Sequence, residues 1–186
     1  MSTQPTLSTP NGYTEINAMF GNPAKADGTL NTNWEIQNII SVLPPGWRIY
    51  FQQSDTQLPE LKQGIRMHKL LKENFLAVME EIRQYAIGVI GGTPDNATIQ
   101  NWLHTERLDR TGGGYEFRPN TSNPNALSMH AYGIAIDWDP LNNPRGKPMK
   151  NTLPDWWYNI WAAKGWIDGR HFTTPDPTHV QFAKGA

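Results

Sequence analysis

The sequence predicts an α+β fold, and three observations carry that expectation. Residues 58–86 place apolar side chains at helical steps. Residues 134–138 and 178–182 alternate bulky apolar side chains with small or polar ones, the pattern of half-buried strands. Strands and helices also follow one another without a regular βαβ rhythm, which disfavours a parallel α/β sheet.

The elements can be argued in order. Residues 1–35 are rich in Asn, Thr, Gly and Pro and read as largely irregular. Residues 35–43 suit a short helix, stopped by Pro44-Pro45-Gly46. Residues 48–52 suit a strand. The long helix over 58–86 rests on Ile65, Leu71, Phe75, Met79, Ile82 and Ala86, with Pro59 in its first turn and Gly91-Gly92 beyond its end. Residues 115–118 read as a strand with Tyr115 and Phe117 on one face and Arg118 on the other. A helix over 155–164 gathers Trp157, Ile160 and Trp161 on one side, and Gly165 can close it. Trp156, Trp157, Trp161 and Trp166 are assigned to the core.

Composition narrows the function classes. The 186 residues fit one domain, 1–186, long enough to bury a proper core. No apolar run approaches the roughly 20 residues of a membrane span. The N-terminus lacks a basic start and an apolar stretch, so no secretory signal is expected. There is no Cys, which leaves any metal to imidazoles and carboxylates. The net charge is −1 and no basic run occurs, so nucleic acid is not an expected partner.

Two stretches carry the chemistry. The first runs Ser128-Met129-His130-Ala131-Tyr132-Gly133-Ile134-Ala135-Ile136-Asp137-Trp138-Asp139. On a strand, Ile134, Ile136 and Trp138 share one face, and Gly133, Ala135 and Asp137 share the other. A carboxylate between the two smallest side chains has open space over it. The second stretch is Asp176-Pro177-Thr178-His179-Val180-Gln181-Phe182, with Val180 and Phe182 on one face and His179 and Gln181 on the other. Both stretches are read as strands that present ligands on one side. His130, Asp137 and His179 form a nitrogen and oxygen ligand set suited to one catalytic zinc, with a fourth position left for water. Asp176, three residues before His179, is near enough to act as a base on that water. Arg118, on the polar face of its strand, can hold a substrate carboxylate or counter an oxyanion.

Taken singly, these residues have plainer readings. Asp139-Pro140 reads as a turn, His68 as a hydrogen-bonded structural residue of the long helix, and His104 has no motif around it. His171 is near enough in sequence to be a residue of the cleft.

The pattern Ser128-x-His130-x-x-Gly133-x-Ala135-x-Asp137, followed by Asp176-x-x-His179, resembles the zinc peptidases that cut peptidoglycan stem peptides. These include D-alanyl-D-alanine carboxypeptidases and dipeptidases, and phage L-alanyl-D-glutamate endopeptidases. Phe20-Gly21-Asn22-Pro23, the long helix, the Gly-Gly-Tyr-x-x-Arg-Pro stretch and the Trp-bearing helix before Gly165-Trp166 are similar in order to the phage-type branch, so the resemblance runs from about Gly12 to Phe182. It implies a small antiparallel sheet packed by helices, as in the hedgehog and D-Ala-D-Ala peptidase fold. It implies His130, Asp137 and His179 as zinc ligands, Asp176 as general base, Arg118 as a residue of catalysis and substrate binding, and Ser128 as a substrate-side serine. Two departures stand out. Members often carry Trp-Gly-Gly-x-Trp where this chain has Gly165-Trp166-Ile167-Asp168-Gly169-Arg170-His171, and Met-His-Phe where it has Thr178-His179-Val180.

The function implied first is a phage endolysin-type L-alanyl-D-glutamate endopeptidase acting on stem peptides. It would be a monomer made in the host cytoplasm from a phage genome, meeting the wall later. A D,D- or L,D-carboxypeptidase or dipeptidase is the nearest alternative. A zinc-containing binding domain, like the hedgehog signalling domain, is the other; the presence of Asp176 argues against it.

Overall fold

A computed structural model describes residues 7–185 of the chain. The architecture is α+β. Five helices surround a five-stranded sheet, and a separate two-stranded ribbon lies beside them.

The N-terminal part is more ordered than its composition suggests. Helix α1 spans Gly12–Phe20, and Glu15 accepts a hydrogen bond from the Asn11 amide at 2.7 Å. Ile16 and Phe20, four residues apart, are its buried face. Helix α2 spans Thr32–Asn38, and the Asn31 side chain caps the Trp34 amide. The expected helix over 35–43 thus ends early. Ile39, Ile40 and Val42 instead form strand β1 (Ile39–Val42), as β-branched side chains favour.

The expected helix over 58–86 is divided. Strand β2 is Tyr50–Phe51, and Pro59 lies in the loop after it, its carbonyl accepting from the Phe51 amide. Strand β3 is Ile65–His68, paired antiparallel with β1. Ile65 and Met67 are buried and Arg66 between them is exposed, a period of two. A single 3₁₀ turn at Lys69–Leu71 leads into helix α3, Lys72–Ile90, which buries Phe75, Val78, Met79, Ile82 and Ala86 and stops at Gly91. Helix α4, Asn96–Thr105, has no counterpart in the sequence reading. Asp95 caps it through the Thr98 amide, and Ile99 and Leu103 face inward.

The main sheet contains β2, β4 (Arg110–Gly113), β5 (Ala135–Trp138), β6 (Ile167–Gly169) and β7 (Asp176–Gln181), in the order β2-β4-β5-β7-β6. All neighbours are antiparallel except β2 and β4. The strand expected over 115–118 is displaced to β4. Residues 115–118 run on as irregular chain, anchored by Tyr115 N–H to Arg66 O at 2.8 Å and Glu116 N–H to His130 O at 3.1 Å.

One face of the sheet builds the core. Ile134, Ile136, Trp138, Val180 and Phe182 all lie on it, fully buried. Helix α5, Asp155–Ala163, lays Trp157 and Trp161 against Trp138, with ring centroids 6.2 and 6.0 Å away. Trp166 meets Trp161 edge to face at 4.9 Å. Such aromatic pairs add about 0.5–1.5 kcal/mol each beyond the area they bury. Trp156 does not join them; it is half-buried and stacks on Tyr85 of α3 at 3.7 Å.

Candidate metal centre

The other face of the sheet carries the candidate site. Asp137 of β5 pairs directly opposite His179 of β7, so the two side chains rise side by side. His130 reaches them by a different route than expected. It sits on a 3₁₀ turn, Met129–Tyr132, and not on a strand. Ser128 caps that turn, its hydroxyl oxygen accepting from the His130 amide at 3.3 Å. Gly133 ends it at φ +68°, with its amide bonded back to the His130 carbonyl. A Cβ at Gly133 would lie 2.7 Å from the His68 amide nitrogen, so only glycine lets the turn press against the end of β3.

Three donor atoms converge. His130 Nε2 is 3.3 Å from His179 Nδ1 and 3.3 Å from Asp137 Oδ1; His179 Nδ1 is 3.0 Å from Asp137 Oδ1. Zinc bonds of about 2.0–2.1 Å in a tetrahedron put neighbouring ligand atoms roughly 3.3 Å apart. The triangle therefore fits one face of such a tetrahedron. Among the described residues no other group of three or more His, Cys, Asp or Glu side chains converges in this way.

The tautomers point to the same conclusion. His130 Nδ1 lies 2.6 Å from the Gly114 carbonyl oxygen, which can only accept, so Nδ1 carries a proton and in the neutral ring Nε2 is bare. His179 Nε2 lies 3.0 Å from Gln181 Oε1, and the Gln181 amide group is oriented by donating to Ala183 O. That leaves His179 Nδ1 to offer its lone pair. Backing of a ring nitrogen by an oxygen acceptor is the usual second layer of a metal site. Three lone pairs facing one another are stable only around a cation. Burial would raise the Asp137 carboxyl, but positive charge beside it, carried by the His130 and His179 rings themselves when no ion lies between them, outweighs burial and holds it well below the usual range. His179 is shifted upward: burial pulls it down, and Asp137 more than restores it.

A cleft of about 450 Å³ opens beside the triangle, with His179 in its wall. Its lining includes Arg118, Ser128, Arg145, His171, Phe172, Asp176, His179 and Gln181. Asp176 begins β7. Its Oδ1 is buried without a hydrogen-bond partner, and burial pushes its carboxyl upward. A carboxylate left with a free buried oxygen is suited to receive a proton. Its position is fixed by close packing against β6. A Cβ at Gly169 would come within 2.3 Å of the Asp176 carbonyl oxygen. The Tyr158 hydroxyl bonds the next carbonyl, Pro177 O, at 2.6 Å, and the Arg170 guanidinium lies 3.6 Å over the Tyr158 ring.

Arg118 lies on the cleft wall, one-third exposed, with Nε donating to Glu116 at 2.8 Å. Ser128 is buried beneath it at the start of the turn. His171 also faces the cleft. Two other residues flagged in the sequence lie elsewhere. His68 is buried between Phe20 and Trp34, with Nε2 3.2 Å from Phe20 O, at the end of β3 and not in a helix. Asp139 is more than a turn residue: at φ +43° and fully buried, it receives both guanidinium arms of Arg107 at 2.9 Å and the amides of Gln52 and Asn142. It secures the loop that follows β5.

Arg145 and Gln181 were missed as site residues. Gln181 had a signal, since it shares a strand face with His179. Arg145 had none, because its loop is aperiodic.

Residues 121–182 match the model of the D-alanyl-D-alanine carboxypeptidase family of zinc peptidases. The matched segment contains Ser128, His130, Asp137, Asp176 and His179, whereas Arg118 and everything before residue 121 lie outside it. No curated protein and no solved structure matches the chain. Among the described residues no helix is long and apolar enough to cross a membrane.

Proposed function

We propose that this chain, which through residues 121–182 belongs to the D-alanyl-D-alanine carboxypeptidase family of zinc peptidases, is a single catalytic domain that hydrolyses peptidoglycan stem peptides. The observation that carries the reading is the triangle of His130 Nε2, Asp137 Oδ1 and His179 Nδ1, with the outer nitrogen of each ring held by an oxygen acceptor and a cleft beside His179. These three residues would hold one zinc ion. When bound, zinc supplies a Lewis acid for the scissile carbonyl and makes the attacking water more acidic.

The chain's own groups do the remainder. Asp176 takes a proton from the attacking water on its carboxylate and delivers it to the leaving amine. Arg118 counters the negative charge that develops on the substrate oxygen. Ser128 holds the His130 turn and borders the peptide. Gln181 and the Gly114 carbonyl keep the two imidazoles in register.

The bond proposed is L-alanyl-D-glutamate, cut inside the stem peptide as a phage endolysin would cut it. The order of segments from Phe20-Gly21-Asn22-Pro23 to Gly165-Trp166 supports that choice. The description of the matched family favours a second reading, release of the terminal D-Ala. Mass spectrometry of muropeptides digested by the purified protein separates them. New D-Glu amino termini with intact glycan support the endopeptidase; free D-Ala alone supports the carboxypeptidase. No new termini from fully zinc-loaded protein would leave only a binding role.

A further inference from the structure

Arg145 belongs to the loop after β5 and crosses the cleft. Its Nη2 donates to Ser122 Oγ at 2.7 Å, and its Nε is 3.9 Å from Asp176 Oδ2. The next residue is fastened as well, with the Gly146 amide bonded to Pro175 O at 2.9 Å. A long side chain on an aperiodic loop is therefore held in place over the site. Arg118 is close to the same short segment, its Nη1 3.4 Å from Thr121 Oγ1. Two guanidinium groups thus meet adjacent hydroxyls of one cleft rim. The residues lining the cleft contribute these two arginines and a single carboxylate, Asp176. At 3.9 Å that carboxylate is too far from Arg145 for a hydrogen bond. Arg118 is already engaged by Glu116, so the cation of the cleft that retains unused donor capacity is Arg145.

We propose that Arg145, steadied by Ser122, forms a subsite for a carboxylate of the peptide substrate that is not part of the scissile bond. A planar guanidinium matches a carboxylate with two parallel hydrogen bonds, and in a recessed cleft such a pair selects strongly for charge. The neutral amide of the same shape keeps one acceptor and brings an NH₂ against the guanidinium, so it is rejected. The subsite makes the enzyme selective for acidic stem peptides over amidated ones. This inference rests on the reading of the chain as a stem-peptide hydrolase.

The test uses zinc-loaded protein and three synthetic stem pentapeptides, L-Ala-γ-D-Glu-L-Lys-D-Ala-D-Ala. One carries both free carboxylates, one has the D-glutamyl α-carboxyl as the amide, and one has the C-terminal carboxyl as the amide. The wild type should lose roughly 10- to 100-fold in kcat/KM on one of the two amidations, which identifies the carboxylate read. Arg145→Gln should fall to that lower level on the doubly anionic peptide and become indifferent to the same amidation. Arg145→Lys should recover part of the selectivity, and Ser122→Ala should weaken it less than Arg145→Gln does. Indifference of the wild type to both amidations overturns the subsite. So does an Arg145→Gln enzyme that is slower on all three peptides by one factor, since that reports a role through Asp176. Failure of the wild type to cleave any peptide overturns the substrate reading and the subsite with it.

Discussion

His130 Nε2 and His179 Nδ1 face each other across 3.3 Å, while the far nitrogen of each ring is held by an oxygen acceptor. Two neutral imidazoles locked in this way turn two lone pairs towards each other, so a positive charge, a metal ion or a shared proton, must lie between them. The arrangement is poised for a cation, with the Asp137 carboxylate beside it.

Metal content is the direct consequence. The purified protein should carry about one zinc per chain, and His130→Ala or His179→Ala should lose most of it. Gln181→Leu removes the acceptor behind His179 and should weaken zinc affinity by roughly 10- to 100-fold. Titration with a competing chelator measures all three. Full occupancy in both His variants would reject the ligand set.

Metal binding and catalysis should separate at the cleft wall. Asp176→Asn should keep its zinc and lose activity by roughly 10²-fold or more, the scale of a general base. Arg118→Ala should likewise stay metal-loaded while kcat/KM falls by roughly 10²-fold, and Arg118→Lys should restore it only in part. Near-native turnover by zinc-loaded Asp176→Asn would reject its role as base.

Gly169 offers a steric test of how Asp176 is aimed. The Cβ of Gly169→Ala would need space held by the Asp176 carbonyl, so β6 and β7 must part locally. We expect destabilisation of about 1–3 kcal/mol and a loss of turnover larger than the loss of folded protein, with zinc retained. Melting curves, zinc content and rates on the same samples check this. Unchanged turnover would show that the close approach of β6 does not set the carboxylate.

His68 should make stability depend on pH. Burial lowers its pKa from 6.5 to about 4. Between those values the unfolded chain binds a proton that the folded one does not. The folded state is therefore undisturbed above pH 6.5 and loses stability as pH falls towards 4, by up to about 3 kcal/mol at roughly 1.4 kcal/mol per unit. Urea titrations of the wild type and His68→Gln should show a steeper loss in the wild type over that window. Equal slopes would assign the pH dependence to other groups.

The legible parts of the sequence were those with one unambiguous period. Ala135, Asp137, His179 and Gln181 share a face because two central strands alternate strictly, and their apolar partners Ile136 and Val180 fix which face is buried. Ambiguous periods misled. Ile65 and Leu71 satisfy a helical step, yet Gly64 at φ +83° and the pairing of Ile65 with Val42 make the first part a strand. Polar composition misled as well: α1 is held by only two buried side chains, Ile16 and Phe20, too few to stand out among Asn and Thr. Arg145 could not be read at all, because what positions it is a contact with Ser122, 23 residues away in sequence, and no local pattern encodes that.

The order β5-β7-β6 has a consequence for synthesis. Among the described residues the strand that carries Asp176 and His179 is the last in sequence, yet it is inserted between two strands made before it. While the nascent chain grows, His130 and Asp137 can be present and β5 and β6 formed, but the gap between them stays open. The third donor and the proposed base enter together, in a single pairing step. A chain stalled or clipped before residue 176 has neither, so the site would be completed only when β7 has been made and has paired.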